Sequence, residues 1–124
     1  MANFNNIGIV GAGSMGIGIA QIASTAGCFV LLYDNNSAAA EKSLNSLDKV
    51  LFRLVERGKI TSIKKEEILA NIQIINSLEK LKKVELVIEA VIENEGIKQS
   101  LFKNLETIVS SSCLLATNTS SLSI

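Results

Sequence analysis

The sequence predicts an α/β fold, a doubly wound parallel sheet with the strand order 3-2-1-4-5. Two observations predict it. Short apolar runs alternate with segments of helical periodicity along the whole chain, and a glycine-rich turn follows the first apolar run. Because strands that alternate with helices pair in parallel through right-handed crossovers, this alternation gives that strand order. The length of 124 residues suits one domain, since domains cluster at about 100–150 residues.

The first predicted elements are a strand, a tight turn and a helix. Residues 1–33 contain no charged side chain, and Ile7-Gly8-Ile9-Val10 is an apolar run typical of a buried parallel strand. The turn "GAGSMG" follows at residues 11–16, and apolar residues then recur at helical spacing at Met15, Ile19, Ile22, Ala23 and Ala26. This pattern indicates a buried helix that ends at Gly27. A signal peptide or membrane helix is disfavoured because no Lys or Arg precedes the segment and six glycines interrupt it.

The second strand, predicted at residues 28–33, ends at Asp34, 23 positions after Gly11. A strand, glycine turn, helix, strand and acidic residue in this order are typical of a dinucleotide-binding unit. Gly11 permits the sharp turn, Gly13 lets a pyrophosphate approach the backbone, and Gly16 lets the helix pack closely. The Asp34 carboxylate can accept the ribose hydroxyls and disfavours NADP, whose 2′-phosphate carries like charge. The alternative interpretation is that the glycine turn is purely structural and binds no dinucleotide.

The middle of the chain predicts two helices. A leucine-rich stripe indicates a long helix from Ser37 to Arg57, ended by Gly58, and Lys64 to Ala70 indicates a shorter helix opened by Thr61 or Ser62. The long helix also carries four cations, Lys42, Lys49, Arg53 and Arg57. They are either a solvated face or a landing site for the phosphates of a large acyl carrier.

The second half repeats the alternation of strands and helices. Strands are predicted at residues 72–75, 85–90 and 113–117, a lysine-rich helical turn at 77–83, and a helix through Ile97, Leu101, Leu105 and Ile108. Polar residues follow the last two strands, at Glu93-Asn94 and in "TNTSS" at residues 117–121. Because ligands bind at the carboxyl ends of parallel strands, these residues are candidates for a site. Helix capping explains them equally well.

Composition narrows the function classes. The chain contains 12 Lys and Arg residues and 12 Asp and Glu residues, so its net charge is zero. Bulk electrostatic attraction to nucleic acid or to an anionic membrane is therefore not expected. The sequence contains no histidine, which removes the commonest general acid/base and metal ligand. Cys28 and Cys113 have no metal or redox spacing, and we expect them to be reduced core residues of a cytoplasmic protein.

Three motifs together resemble a known family. "GIVGAGSMGIGIAQ", "LVIEAVIEN" and "LATNTSSLSI", in this order, are similar to the NAD-binding domain of the L-3-hydroxyacyl-CoA dehydrogenases, especially the bacterial 3-hydroxybutyryl-CoA dehydrogenases. "LVERGKIT" at residues 54–61 also resembles the end of the family's long helix. The resemblance covers essentially the whole chain. It implies a Rossmann domain over residues 1–124, incomplete because the family's remaining strands and helical substrate and dimerisation domain follow this point.

The resemblance also implies roles for individual residues. Gly11, Gly13, Ser14, Met15 and Gly16 match the pyrophosphate loop, and Asp34 matches the adenosine-ribose ligand. Glu93 matches an acidic residue near the nicotinamide half of the cofactor, and Lys98 a basic residue near cofactor and substrate. Ser120 matches the serine that hydrogen-bonds the substrate's 3-oxygen, while Ser46 and Arg53 fall near positions that touch coenzyme A. The implied reaction is reversible hydride transfer between C3 of a 3-hydroxyacyl-CoA, of short chain, and NAD.

The family's general acid/base is a histidine oriented by a glutamate and followed by an asparagine, all beyond the "NTSS" motif. This chain has no histidine, so we expect it to be inactive alone and its full-length parent to be a homodimeric dehydrogenase. Two alternatives stay open. One is a non-catalytic NAD(H)-sensing or structural module. The other is a related dehydrogenase that acts on a sugar acid or carnitine.

Overall fold

A computed structural model describes residues 5–90 and the backbone of residues 114–117. The described part contains five strands, three α-helices and one short 3-10 helix. The strands are β1 (Asn6–Val10), β2 (Phe29–Tyr33), β3 (Ile72–Ile75), β4 (Leu86–Glu89) and β5 (Leu114–Thr117). The helices are α1 (Ser14–Thr25), α2 (Ser37–Glu56), α3 (Ser62–Ala70) and the 3-10 helix Leu78–Leu81. The predicted helix through Ile97 and Ile108 lies outside the described residues.

The five strands form one parallel sheet in the order β3-β2-β1-β4-β5, which confirms the predicted fold. β1 is central, with Val10 opposite Tyr33 on one side and Glu89 on the other. Thr117 of β5 lies opposite Glu89. The carboxyl ends of these strands therefore meet at one rim of the sheet. β1 lies at the switch point, because the chain adds β2 and β3 on one side of it and β4 and β5 on the other.

Alternate residues of the strands build two cores, one on each face of the sheet. Ile7 and Ile9 pack with the helices α1 to α3, whereas Val10 packs with Leu81 and Val87 on the opposite face. On that second face the chain approaches β1 closely, because a Cβ placed on Gly8 would lie 2.6 Å from Leu81 Cδ2. The burial of both faces explains why the strands read as continuous apolar runs.

Helix α1 buries a different face from the one that its apolar residues indicate. Met15 and Ile22 are exposed, whereas the residues buried against the sheet are small: Gly16, Ala20, Ala23 and Ser24. Of the predicted stripe, Ala23 is buried and Ile19 is half-buried. Small side chains let the helix axis lie close to the strands. The buried face of α1 is therefore the one with the smallest side chains, and the larger apolar side chains do not identify it.

The element boundaries agree with the sequence-based ones to within two residues, apart from the lysine-rich turn at residues 77–83, whose helical part is only Leu78–Leu81. Cys28 is buried in the core as predicted, while Cys113 lies outside the described residues. Within residues 5–90, no helix combines the length and apolarity that crossing a bilayer requires.

At the amino end of the sheet, Glu85 binds the backbone at the start of β1. Its Oε1 accepts hydrogen bonds from the backbone N–H groups of Asn5, at 2.7 Å, and Asn6, at 3.0 Å. These bonds, the Asn6 one above all, stabilise the carboxylate and hold the pKa of Glu85 below its ordinary value of 4.5. Because the folded-state pKa is lowered, this stabilisation is complete above pH 4.5 and is lost as the pH falls through the folded-state pKa.

We therefore expect Glu85→Gln to lower the free energy of unfolding at pH 7 and to have a smaller effect at pH 3, because the stabilisation that the carboxylate provides declines as the pH falls below 4.5 toward its lowered pKa. Urea denaturation at both pH values measures the difference. Glu66→Gln, on the exposed side of α3, is the matched control and should change stability little at either pH. An equal loss for Glu85→Gln at both pH values would contradict the assignment.

Candidate dinucleotide site

The glycine turn between β1 and α1 is fixed by backbone contacts. Gly11 has a φ of +110°, a conformation that glycine adopts without strain, and its N–H donates to the Tyr33 carbonyl oxygen at 2.7 Å. A Cβ on Gly16 would lie 1.7 Å from the Gly11 carbonyl oxygen. The first turn of α1 therefore touches the end of β1, and position 16 has no room for a side chain, as the sequence predicted.

Gly13 has a different environment from Gly16. It is the N-cap residue of α1 and is exposed, and a Cβ placed on it would have no heavy atom within 4 Å. Packing within the described residues therefore does not require glycine at this position. The space in front of Gly13 is open to a ligand, which fits the predicted approach of a pyrophosphate to bare backbone. Ser14 and Met15, also predicted for this loop, are exposed beside it.

The start of α1 differs from the starts of the other helices in the described region. Asn36 caps α2, Thr61 caps α3 and Ser77 caps the 3-10 helix, each through a side-chain oxygen that accepts a backbone N–H. Gly13 has no side chain, so α1 has no such cap. The N–H groups at this helix end, together with its positive dipole, therefore remain available to an anion.

Asp34 connects the glycine turn to the start of α2. Its Oδ2 accepts from the Ala12 N–H at 2.8 Å, and its Oδ1 accepts from the Asn36 N–H at 2.9 Å. Asp34 therefore lies beside the glycine turn, directly after the end of β2. Each carboxylate oxygen already has one protein donor, yet an ionised carboxylate has about four acceptor positions. Asp34 can therefore hold the turn and still accept ribose hydroxyls.

Two polar residues at this rim are missing from the sequence-based site. Ser43 of α2 donates its hydroxyl to the Ala12 carbonyl oxygen, and Glu89, at the end of β4, is completely buried. Ser43 lies one helical turn before Leu47, on the apolar face of α2. A hydroxyl on an apolar face is the feature of the sequence that could have identified Ser43. Glu89 occurs in the "LVIEAVIEN" motif. A carboxylate at the end of an apolar run is the feature of the sequence that could have identified it.

The two residues predicted near coenzyme A both lie on α2 and are exposed. Ser46 and Arg53 are seven residues apart, about two helical turns, so they share a stripe of the helix surface. Arg53 lines a shallow depression of about 460 Å³ with Asp48, Lys49, Phe52, Glu56 and Lys65. Ser46 is not among its lining residues. Lys65 Nζ lies 2.9 Å from Asp48 Oδ1 and 5.4 Å from the centre of the Phe52 ring.

The remaining predicted site residues, Glu93, Lys98 and Ser120, lie outside the described residues. The structure does describe the strands that lead to them. β4 runs beside β1, where Ala90 N–H donates to the Val10 carbonyl oxygen at 2.8 Å, and β5 runs beside β4. Both strands end at the rim that carries the glycine turn.

Comparison with known proteins agrees with this geometry. Residues 6–124 match the model of the family described as 3-hydroxyacyl-CoA dehydrogenase, NAD binding domain. The chain is 44% identical over 116 residues to a probable 3-hydroxybutyryl-CoA dehydrogenase of Bacillus subtilis, covering 94% of this chain and 40% of the relative. It is 41% identical to the 3-hydroxybutyryl-CoA dehydrogenase of Clostridioides difficile, covering 95% of this chain and 42% of the relative.

A solved structure gives the same result. The chain superimposes on the (S)-3-hydroxybutyryl-CoA dehydrogenase of Ralstonia eutropha with a TM-score of 0.91 and 37% identity, over 95% of this chain and 42% of that one. The chain thus spans about two fifths of the length of these relatives. Since the family model covers nearly all of its residues, the chain belongs to the 3-hydroxyacyl-CoA dehydrogenase family and represents its NAD-binding domain.

Proposed function

We propose that this domain binds NAD for an enzyme that transfers hydride reversibly between C3 of a short-chain 3-hydroxyacyl-CoA and the cofactor. In the oxidative direction, hydride leaves C3, the 3-hydroxyl proton leaves to a base, and a 3-ketone forms. Bound NAD supplies the hydride acceptor. The observation that carries the proposal is the uncapped start of α1 beside Asp34, in a chain whose relatives are named 3-hydroxybutyryl-CoA dehydrogenases.

The chain's own residues hold the cofactor in this proposal. Backbone N–H groups from Gly13 to Gly16, including Ser14 and Met15, donate to the pyrophosphate, because they are the N–H groups of an uncapped helix end. Asp34 accepts the hydroxyls of the adenosine ribose. Its charge selects NAD over NADP, since the 2′-phosphate would meet a carboxylate.

Three further residues complete the proposed site from beyond the described part of the chain. Glu93 lies near the nicotinamide half of the cofactor, Lys98 near cofactor and substrate, and Ser120 donates a hydrogen bond to the substrate's 3-oxygen. The support for Glu93 and Ser120 is the motif that each belongs to, "LVIEAVIEN" and "LATNTSSLSI", and Lys98 follows the first of these motifs by four residues. The strands β4 and β5, which precede these residues in the chain, share a rim with β1. Because the 124 residues contain no histidine, the histidine acid/base that the family resemblance implies has to come from outside them.

The phosphates of coenzyme A are proposed to bind along α2, at Ser46 and Arg53. α2 starts at the rim, where Asp34 binds Asn36, and Arg53 lies 17 residues further along the helix. At 1.5 Å per residue this separation is roughly 25 Å. A substrate that reaches from the rim to Arg53 must therefore be long, as the phosphopantetheine arm of coenzyme A is.

The homodimeric state of the full-length protein and its cytoplasmic location remain predictions from the sequence.

A domain exchange tests the proposed function. A chimaera joins residues 1–124 to the remaining C-terminal part of the Clostridioides difficile relative, and both the chimaera and the chain alone are assayed for NADH oxidation with acetoacetyl-CoA. We expect turnover by the chimaera and none by the chain alone, because the acid/base is absent from it. In the chimaera, Ser120→Ala should lower kcat by about 10²-fold, as loss of a donor to a developing oxyanion does, with KM for NADH little changed.

Three outcomes would contradict this proposal. Turnover by the chain alone would disprove its inactivity. A folded chimaera that binds NADH but is inactive with acetoacetyl-CoA would favour an NAD(H)-sensing module, or a sugar acid or carnitine substrate if one of these is oxidised instead. Unchanged kinetics in Ser120→Ala would leave that serine only a capping role.

A further inference from the structure

We propose that Ser43 is a positioning residue for the cofactor, which holds the peptide between Ala12 and Gly13 so that the Gly13 N–H faces the pyrophosphate. Ser43 would not touch the ligand and would act through the backbone of the turn. The inference rests on the proposed dinucleotide site and is independent of the acyl-CoA substrate.

Ala12 is held at both of its peptide groups. The residue is completely buried. Its N–H donates to Asp34 Oδ2 at 2.8 Å, and its carbonyl oxygen accepts from the Ser43 hydroxyl. The two contacts come from different elements, the end of β2 and the second turn of α2, and they fix the peptides on either side of Ala12.

The second of these peptides determines the direction of a ligand-facing donor. The Ala12 carbonyl and the Gly13 N–H belong to the same peptide group, which is planar and trans, so the two bonds point in opposite directions. Because the carbonyl points to Ser43 on α2, the Gly13 N–H points away from α2. It is thereby held on the side of the turn away from Ser43, without a side chain on Gly13 to restrict it.

Ser43 has no local reason to be a serine. It lies on the stripe of α2 that faces the core, between Ala40 and Leu47, and is half-buried there. Serines inside helices commonly bond a carbonyl one turn earlier in the same helix, whereas Ser43 donates to a residue 31 positions away. The contact therefore joins α2 to the turn, in parallel with the Asp34 bond to Asn36.

The inference predicts a selective loss of affinity in Ser43→Ala. Without the hydroxyl, the peptide between Ala12 and Gly13 loses its restraint, so ligands that contain a pyrophosphate should bind about 3- to 10-fold more weakly, the range for one hydrogen bond. Adenosine, which lacks phosphates and uses Asp34 alone, should bind unchanged. Ser43→Thr keeps the hydroxyl and should restore the affinity for NAD.

The experiment measures NAD and ADP-ribose binding by calorimetry, adenosine binding by ligand-observed NMR, and the melting temperature of each variant. Ser43→Cys, which is nearly isosteric and a weak donor, provides a second variant in case Ser43→Ala does not fold, and should lose affinity in the same direction. Asn45→Ala, at an exposed position of the same helix, is the matched control and should bind all three ligands like the wild type.

Two results would overturn the inference. One is wild-type affinity for NAD in Ser43→Ala and Ser43→Cys. The other is an equal loss for NAD and adenosine that follows the melting temperature, since a merely structural serine would weaken every ligand alike. If the wild-type chain binds neither NAD nor ADP-ribose, the proposed dinucleotide site itself is wrong, a result that is distinct from either of these.

Discussion

Gly16→Ala is expected to lower the affinity for NAD by about tenfold or more and to destabilise the domain by about 1–3 kcal/mol, the usual range for overpacking. A methyl group at this position would lie 1.7 Å from the Gly11 carbonyl oxygen and 2.9 Å from its carbon, and both are backbone atoms. Since neither can rotate away, α1 has to move off β1. This movement displaces the N–H groups at the helix start. Calorimetry with NAD and urea denaturation measure the two effects.

Gly18→Ala is the matched control for this substitution. Gly18 lies in the same helix two residues later, and a Cβ there would have no heavy atom within 4 Å. Alanine is a better helix former than glycine, so this variant should be more stable by about 0.5–1 kcal/mol and bind NAD normally. If both variants behave alike, the close contact between Gly16 and Gly11 does not shape the binding site.

Asp34→Ala is expected to weaken NAD binding by about 10- to 100-fold, as the loss of charge-assisted hydrogen bonds does. The substitution removes the acceptor for the ribose hydroxyls and also releases the Ala12 and Asn36 N–H groups. NADP should lose much less affinity because the carboxylate no longer repels its 2′-phosphate. The ratio of the two dissociation constants, measured by calorimetry, should therefore move toward one.

Asp34→Asn separates the charge from the hydrogen bonds. The amide keeps one acceptor oxygen but is neutral, so we expect NADP to bind more tightly than to the wild type while NAD binding weakens less than in Asp34→Ala. An unchanged preference for NAD in both variants would show that Asp34 only supports the turn.

The fold follows from patterns that act locally. A parallel strand buried on both faces has to be apolar along its length, and the run that ends at Val10 shows this directly. The alternation with helices then determines the strand order, which the structure confirms. The face of α1 does not follow from such a pattern. Its contact with the sheet depends on how closely the helix approaches, and small residues such as Gly16 and Ala20 carry little hydrophobic signal.

The site residues that could be predicted are those whose type is required by the local backbone geometry or by their position after a strand. Glycines at positions 11 and 16 are required by a positive φ and by a contact that excludes a Cβ, and Asp34 is identified by its place after β2. The contact of Ser43 with Ala12 was not predictable, because it joins residues 31 positions apart and depends on the packing of α2. Sequence spacing alone does not specify such tertiary contacts.

The most direct test of the dinucleotide site is a calorimetric titration of the purified chain with NAD and, separately, with NADP. The uncapped helix start and Asp34 predict saturable binding of NAD, with NADP weaker by about tenfold or more, equivalent to about 1.4 kcal/mol or more. Tighter binding of NADP, or no binding of NAD by the folded chain, would contradict the site described for the glycine turn.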